Sequence, residues 1–254
     1  MTIDRQLVSQ RFGNALKTYD ASAVAQEAIA KRLARLLSER MSLSPETIFE
    51  IGCGTGLLTA ELHSYYPEAH FVLNDLVKAS EGVIKAKLPL MDYDFMTGDA
   101  ENMSWQCGYS LIASSSVIQW WDAPTHFIDK AFHSLQDGGW LAVSTFLPDN
   151  LFEITPLLSE SLPYPEAKDY GKALSVFRFS EIVEESITIH FPTLYALLKH
   201  LKSTGTNALP IAQKGLLTPR RLKTMEASIR SHLGLNESEL IPLTYRAIII
   251  IAQK

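Results

Sequence analysis

Through the first 146 residues, short apolar and β-branched runs alternate with stretches in which apolar residues recur every three or four positions. The runs Thr47–Ile51, His70–Asn74, Asp94–Thr97, Leu111–Ser114 and Trp140–Phe146 predict strands, with helices such as Thr55–Ser64 and Ala123–Leu135 between them. Such alternation predicts a parallel sheet covered on both faces. Ahead of the first strand, Ala21, Val24, Ala25, Ala28, Ile29, Leu33, Leu36 and Leu37 keep helical spacing. They predict a helix over Ala21–Leu37 with one buried stripe and Asp20 as its N-cap.

After Phe146 the alternation stops. Pro148, Pro156, Pro163 and Pro165 break up Leu147–Glu185, which reads as a lid of loops and short helices. A strand, Ser186–Phe191, a helix, Thr193–Ser203, and an irregular stretch, Thr204–Pro219, follow. The isoleucine-rich run Tyr245–Ala252 reads as a buried seventh strand. The expected organisation is one α/β domain over 1–254, with a helical cap at 1–45 and lid or substrate-binding insertions at 147–185 and 193–233.

Composition narrows the class. The chain has 254 residues, 46% hydrophobic and 20% charged, which suits a large α/β core and excludes a disordered or collagen-like chain. Its formal charge of −5 argues against a general nucleic-acid binder. The first residues carry charges and no apolar core, so no secretory signal is expected. The purest apolar run, Ala247–Ala252, is far too short to span a membrane. Cys53 and Cys107 are too few for a disulfide framework and fit a reducing, cytoplasmic compartment. The seven histidines form no ligand cluster, so no metal is expected. Gly-x-Ser-x-Gly is absent, which argues against a hydrolase. The chain is read as a monomer.

Candidate chemistry begins at Glu50-Ile51-Gly52-Cys53-Gly54-Thr55-Gly56, which ends the first strand and opens a helix. Glycines there permit positive φ and let a ligand approach the backbone. A dinucleotide fingerprint would need glycine where Leu57 stands. The Gly-x-Gly-x-Gly spacing behind an acid instead resembles the loop of S-adenosylmethionine (SAM)-dependent methyltransferases, with a dehydrogenase or a structural turn as alternatives. Asp75 ends the second strand 23 residues past Gly52, close to the spacing of a ribose-binding acid, and Leu76 follows it. Asp99, followed by Ala100, ends the third strand, where methyltransferases place an acid against the adenine amino group. Either acid alone also reads as a turn residue or helix N-cap. The fourth strand runs into Ser114-Ser115-Ser116-Val117-Ile118-Gln119-Trp120-Trp121. Ser114 and Ser116 are expected at the methionine moiety, and Gln119 and Trp120 at the substrate cavity, with core-edge packing the alternative for the tryptophans.

The loop, both acids and the strand pattern resemble the class I methyltransferase fold, Rossmann-like, with seven mostly parallel strands and an antiparallel last strand. Two segments resemble one family more narrowly. Phe12-Gly13-Asn14-Ala15-Leu16-Lys17-Thr18-Tyr19-Asp20, continuing to Ala23 and Gln26, is similar to the N-terminal motif of malonyl-acyl-carrier-protein O-methyltransferases of biotin synthesis. Leu198-Lys199-His200-Leu201-Lys202-Ser203-Thr204-Gly205-Thr206-Asn207 is similar to that family's late helix and glycine turn, where arginine can stand in place of Lys199.

The resemblance implies methyl transfer from SAM to the free carboxylate of a malonyl thioester on acyl carrier protein. A carboxylate is ionised at neutral pH, so no general base is required. Tyr19 is expected to close the site, a half-buried ring being the alternative. Lys199 and Lys202, three apart on one helical face, are candidate carboxylate clamps or ordinary solvated lysines. Between Thr193 and Leu233, Lys199, Lys202, Lys214, Arg220, Arg221, Lys223 and Arg230 face a single acid, Glu226, giving +6 and leaving −11 elsewhere. That stretch suits docking of an acidic carrier protein, or is a solvated surface. The fold also supports a methyltransferase of another small acid or quinone precursor, and a non-catalytic SAM- or nucleotide-binding module.

Overall fold

A computed structural model describes residues 4–157, 163–205 and 218–254. Its seven-stranded sheet comprises β1 (Thr47–Ile51), β2 (His70–Asp75), β3 (Tyr93–Thr97), β4 (Tyr109–Ser115), β5 (Leu135–Phe146), β6 (Phe179–Phe191) and β7 (Ile241–Gln253), in the order β3-β2-β1-β4-β5-β7-β6. Only β7 runs antiparallel to its neighbours β5 and β6. The strand order turns between β1 and β4, so the sheet opens a crevice past their carboxyl ends, where ligands bind in such sheets.

Helices cover both faces. On one lie α3 (Val24–Arg40), α4 (Leu57–Tyr65) and α5 (Ser80–Lys87), with Leu33, Leu37, Leu62 and Ile84 buried against Ile48, Phe71 and Leu111. On the other, α6 (His126–Ser134) and α7 (Ala167–Ala173) bring Phe127, Ile128 and Tyr170 against Phe49, Ile51 and Ile112. Burial on both faces puts Ile48, Phe49 and Ile51 of β1 and Leu111, Ile112 and Ala113 of β4 in the core.

A third core lies under the cap. Val8 of α1 (Arg5–Ala15) meets Ala25 and Ile29 of α3 and Leu194, Leu197 and Leu201 of α8 (Leu194–Ser203). It also meets Met225 and Ile229 of α9 (Pro219–Leu233) and the first half of β7. Asp4 starts α1 by accepting the Leu7 amide at 3.0 Å.

Three expectations need correction. The helix predicted over Ala21–Leu37 is broken at Ala23: α2 (Tyr19–Ser22) is a separate turn, and α3 starts at Val24. Asp20 caps nothing; its carboxylate accepts from Thr55 Oγ1 at 2.5 Å and Lys87 Nζ at 2.7 Å, tying α2 to the glycine loop and α5. Ala21, Val24 and Ala28 are exposed, because the break rotates α3 onto Ala25, Gln26 and Ile29. The stretch 147–185 is not all lid, since β6 begins at Phe179. Its polar start, Ser180-Glu181 and Glu184-Glu185, hid it, because an edge strand is bound by its ladder to β7 rather than by two buried faces. Among the described residues, no helix is long and apolar enough to cross a membrane.

Candidate active site

The cleft past β1 and β4 encloses about 1080 Å³, counting its open mouth. Its floor is the glycine loop. Gly52, Gly54 and Gly56 have φ of +67°, +54° and +79°, a region that side chains disfavour. At Gly52 a Cβ would stand 2.4 Å from the Val117 side chain, so the β1 and β4 turns approach as only glycine permits.

Three acids stand at this floor. Glu50 is 2% exposed, and burial, with some repulsion from Asp75, pushes its carboxyl up to about 8, against the pull of Thr59. Asp75 accepts the Gly54 amide on Oδ2 at 2.8 Å and the Val77 amide on Oδ1 at 2.7 Å. It thus shapes the loop and keeps a lone pair on each oxygen for a ligand; burial raises its pKa. Asp99 accepts the Glu101 amide at 3.1 Å and the Asn102 side chain at 2.7 Å. The loop after it is held from behind by Lys130, whose ammonium donates to the carbonyls of Ala100, Glu101 and Met103 at 2.7, 3.0 and 2.5 Å. Leu76 and Ala100 complete this wall.

The roof comes from the N-terminal segment. Arg5, Val8, Ser9, Phe12 and Leu16 of α1 and its following turn line the cleft with Tyr19 and Gln26. Phe12 packs edge-on to Trp120 at 5.8 Å and tilted to Tyr19 at 6.4 Å. Burial, with the charges of Asp20 and Asp75, pushes the Tyr19 phenol up, so it stays a proton-bearing donor.

The strand-four residues divide. Ser116 and Trp120 line the cleft, but Ser114 does not: it is fully buried, and its hydroxyl donates to the Ile51 carbonyl at 2.9 Å. Gln119 is also outside the cleft. Its amide donates to the Ser116 carbonyl at 2.7 Å and accepts from Thr145 at 3.2 Å, holding Ser116 at a φ of +57°. Lys199 and Lys202 do not reach the cleft either. They lie exposed, while α8 buries Leu194, Leu197 and Leu201. Thr206, Asn207 and Lys214 lie outside the described residues.

Arg5 carried no sequence signal. Its guanidinium meets Asp99 at 3.3 Å and Asp122 at 3.5 Å, and also pairs with Glu101 and the Trp120 carbonyl, tying α1 across the cleft. Among the described residues no group of three His, Cys, Asp or Glu side chains is placed to hold a metal ion.

Known proteins share this arrangement. A family model described as a methyltransferase domain matches residues 49–143, the span carrying the glycine loop and both strand-end aspartates. A malonyl-acyl-carrier-protein O-methyltransferase of Haemophilus ducreyi is 36% identical over 81% of this chain and 81% of its own length. The chain belongs to the malonyl-acyl-carrier-protein O-methyltransferase family. A relative of that name from Bacteroides thetaiotaomicron is 31% identical over 99% of both chains, so the likeness extends over nearly the whole chain. In fold, the chain is similar to the plantazolicin methyltransferase BpumL in complex with SAH, with a TM-score of 0.56 at 12% identity, covering 98% of this chain and 95% of that one.

Proposed function

We propose that the protein transfers the methyl group of SAM to the free carboxylate of a malonyl thioester on acyl carrier protein, an early step of biotin synthesis. The observation carrying this reading is that one cleft joins the glycine loop and the acids of three successive strand ends to Phe12 and Tyr19 of the N-terminal family motif.

The residues fit SAM as co-substrate. Gly52, Gly54 and Gly56 leave backbone open to it, and Glu50 adds a polar group at the floor. Asp75 accepts the ribose hydroxyls through its remaining lone pairs, with Leu76 beside it. Asp99 and Ala100 flank the adenine, on a loop that Lys130 fixes. When bound, SAM supplies a methyl on a sulfonium, an electrophile whose carbon–sulfur electron pair leaves with sulfur as a neutral thioether. The chain has to hold a carboxylate oxygen in line with that methyl and to exclude water, and no proton has to move. Tyr19 and Phe12 close the roof over this point. The product is a methyl ester, which turns the charged malonyl end into one that passes as an apolar primer.

Acyl carrier protein is an acidic partner, and the exposed Lys199, Lys202, Arg220 and Lys223 give it a basic surface on α8 and α9. Arg221, on the same helix, is half-buried. Arg230 does not belong to that surface. It is buried at 8% exposure and bonds to Glu226 and to the carbonyls of Asn236, Glu239 and Pro192. Growth on biotin-free medium of a bacterium lacking its own malonyl-acyl-carrier-protein methyltransferase, restored by this chain, is the expected result. Failure to restore growth by a soluble, SAM-binding preparation contradicts the reading.

A further inference from the structure

Two residues that line the cleft carry buried polar atoms that the protein leaves unpaired. Trp120, only 7% exposed, has its indole Nε1–H buried without a hydrogen-bond partner, and the Ser116 hydroxyl is in the same condition. Both residues line the cleft. An indole N–H is a donor and nothing else, and leaving such a group buried and unpaired is costly. Ser116 adds a second cost, since a side chain at positive φ is strained. The fold nevertheless enforces that conformation through Gln119, which bonds to the Ser116 carbonyl and is itself held by Thr145. Two unpaired donors on one turn, one of them strained and braced, describe a receptor for an acceptor that comes from outside.

The charge inventory says which acceptor. Among the described residues Arg5 is the only cation on the cleft wall, and Asp99, Glu101 and Asp122 already neutralise it. Lys199 and Lys202 are on the solvent side of α8. Among the described residues, a substrate carboxylate entering the cleft therefore meets neutral donors and no free side-chain cation. Glu50 lies in β1, Asp75 ends β2 and Asp99 follows β3, whereas Ser116 and Trp120 follow β4. Trp120 packs against Phe12 and belongs to the core that joins the N-terminal helices to α8, α9 and the first half of β7.

We infer that the Trp120 indole N–H and the Ser116 hydroxyl hold the malonyl carboxylate by neutral hydrogen bonds, in place of a lysine or arginine clamp. This rests on the proposed carboxyl methylation and names the groups that orient its nucleophile. Neutral donors suit that step. They orient one carboxylate oxygen without the deep ground-state stabilisation of a buried ion pair, which would have to be given up as the oxygen's charge moves to the new C–O bond. They also favour an ionised carboxylate over an uncharged end group, since an amide or ester in its place accepts a weaker bond.

The test is steady-state kinetics with malonyl-acyl carrier protein, alongside calorimetric SAM affinity, for Trp120→Phe, Ser116→Ala and Ser116→Gly. Phenylalanine keeps an aromatic ring against Phe12 while removing the donor and part of the indole's bulk, and glycine removes the Ser116 hydroxyl and relieves the strain. Each variant is expected to lose roughly ten- to a hundredfold in kcat/KM, as for a neutral donor lost from a charged acceptor. SAM affinity and thermal stability stay within about twofold and a few degrees of wild type. SAM affinity falling in step with kcat/KM would show that these donors serve SAM, and overturns the inference. Unchanged kcat/KM in all three variants beside an active wild type overturns it as well. A wild type that binds SAM and methylates no malonyl thioester overturns the proposed function itself, and this inference with it.

Discussion

The Phe12 ring lies directly over Gly205, so that a Cβ on Gly205 would stand 2.8 Å from Phe12 Cδ1. The two segments that carry the narrow family resemblance, far apart in sequence, thus meet in the fold. The contact also joins the roof of the cleft to the end of α8. Gly205 is needed twice there, for its φ of +69° and for the space it leaves. Gly205→Ala should therefore destabilise the protein by about 1–3 kcal/mol in urea unfolding. Adding Phe12→Ala should cost less in that background than alone, because the clash has gone. Strict additivity would show that the two residues do not contact each other.

Asp75 combines two duties, shaping the loop through Gly54 and facing the cleft. Asp75→Ala should weaken SAM binding at least about tenfold, or about 1.4 kcal/mol, by calorimetry. Unchanged affinity would put the ribose elsewhere.

Glu50 makes the ligand-free protein sensitive to pH. Its carboxyl is raised from 4.5 to about 8 by burial, so between these values the folded chain holds a proton that the unfolded chain has lost. Stability then falls as pH rises through that window, by at most about 1.4 kcal/mol per unit from this group. Glu50→Gln cannot ionise and should lose less stability than wild type between pH 5.5 and 8. Parallel stability curves would refute this.

The sequence was most legible where local pattern and tertiary role coincide. The limits of β1 matched the expectation, because Ile48, Phe49 and Ile51 are buried there and glycines follow at once, and the glycine loop announces itself by residues suited to a turn at positive φ. The pair Ser114 and Ser116 shows the limit. Both were expected at the methionine moiety because they stand at the end of the fourth strand, but β4 ends at Ser115 and Ser116 flips to positive φ, leaving Ser114 in the core. Lys199 and Lys202 do share a helical face, but periodicity alone cannot say that this face is the wet one. Arg5 was invisible because its partners lie about a hundred residues away, on the loops after β3 and β4.

Under the proposed function, the exposed basic residues of α8 and α9 are expected to act on encounter with the carrier protein rather than on chemistry. Reversing Arg220 and Lys223 together to glutamate should raise KM for malonyl-acyl carrier protein several-fold, more at low salt, and leave KM for malonyl-CoA nearly unchanged. An equal rise for both substrates would place these residues in the cleft's own function.

The most direct measurement follows a labelled methyl group from SAM to malonyl-acyl carrier protein, malonyl-CoA and free malonate, offered separately. The account predicts an alkali-labile methyl ester on the malonyl group of the carrier protein, formed with the highest kcat/KM of the three. Label on free small acids alone, or on no acceptor from a chain that binds SAM, would contradict it.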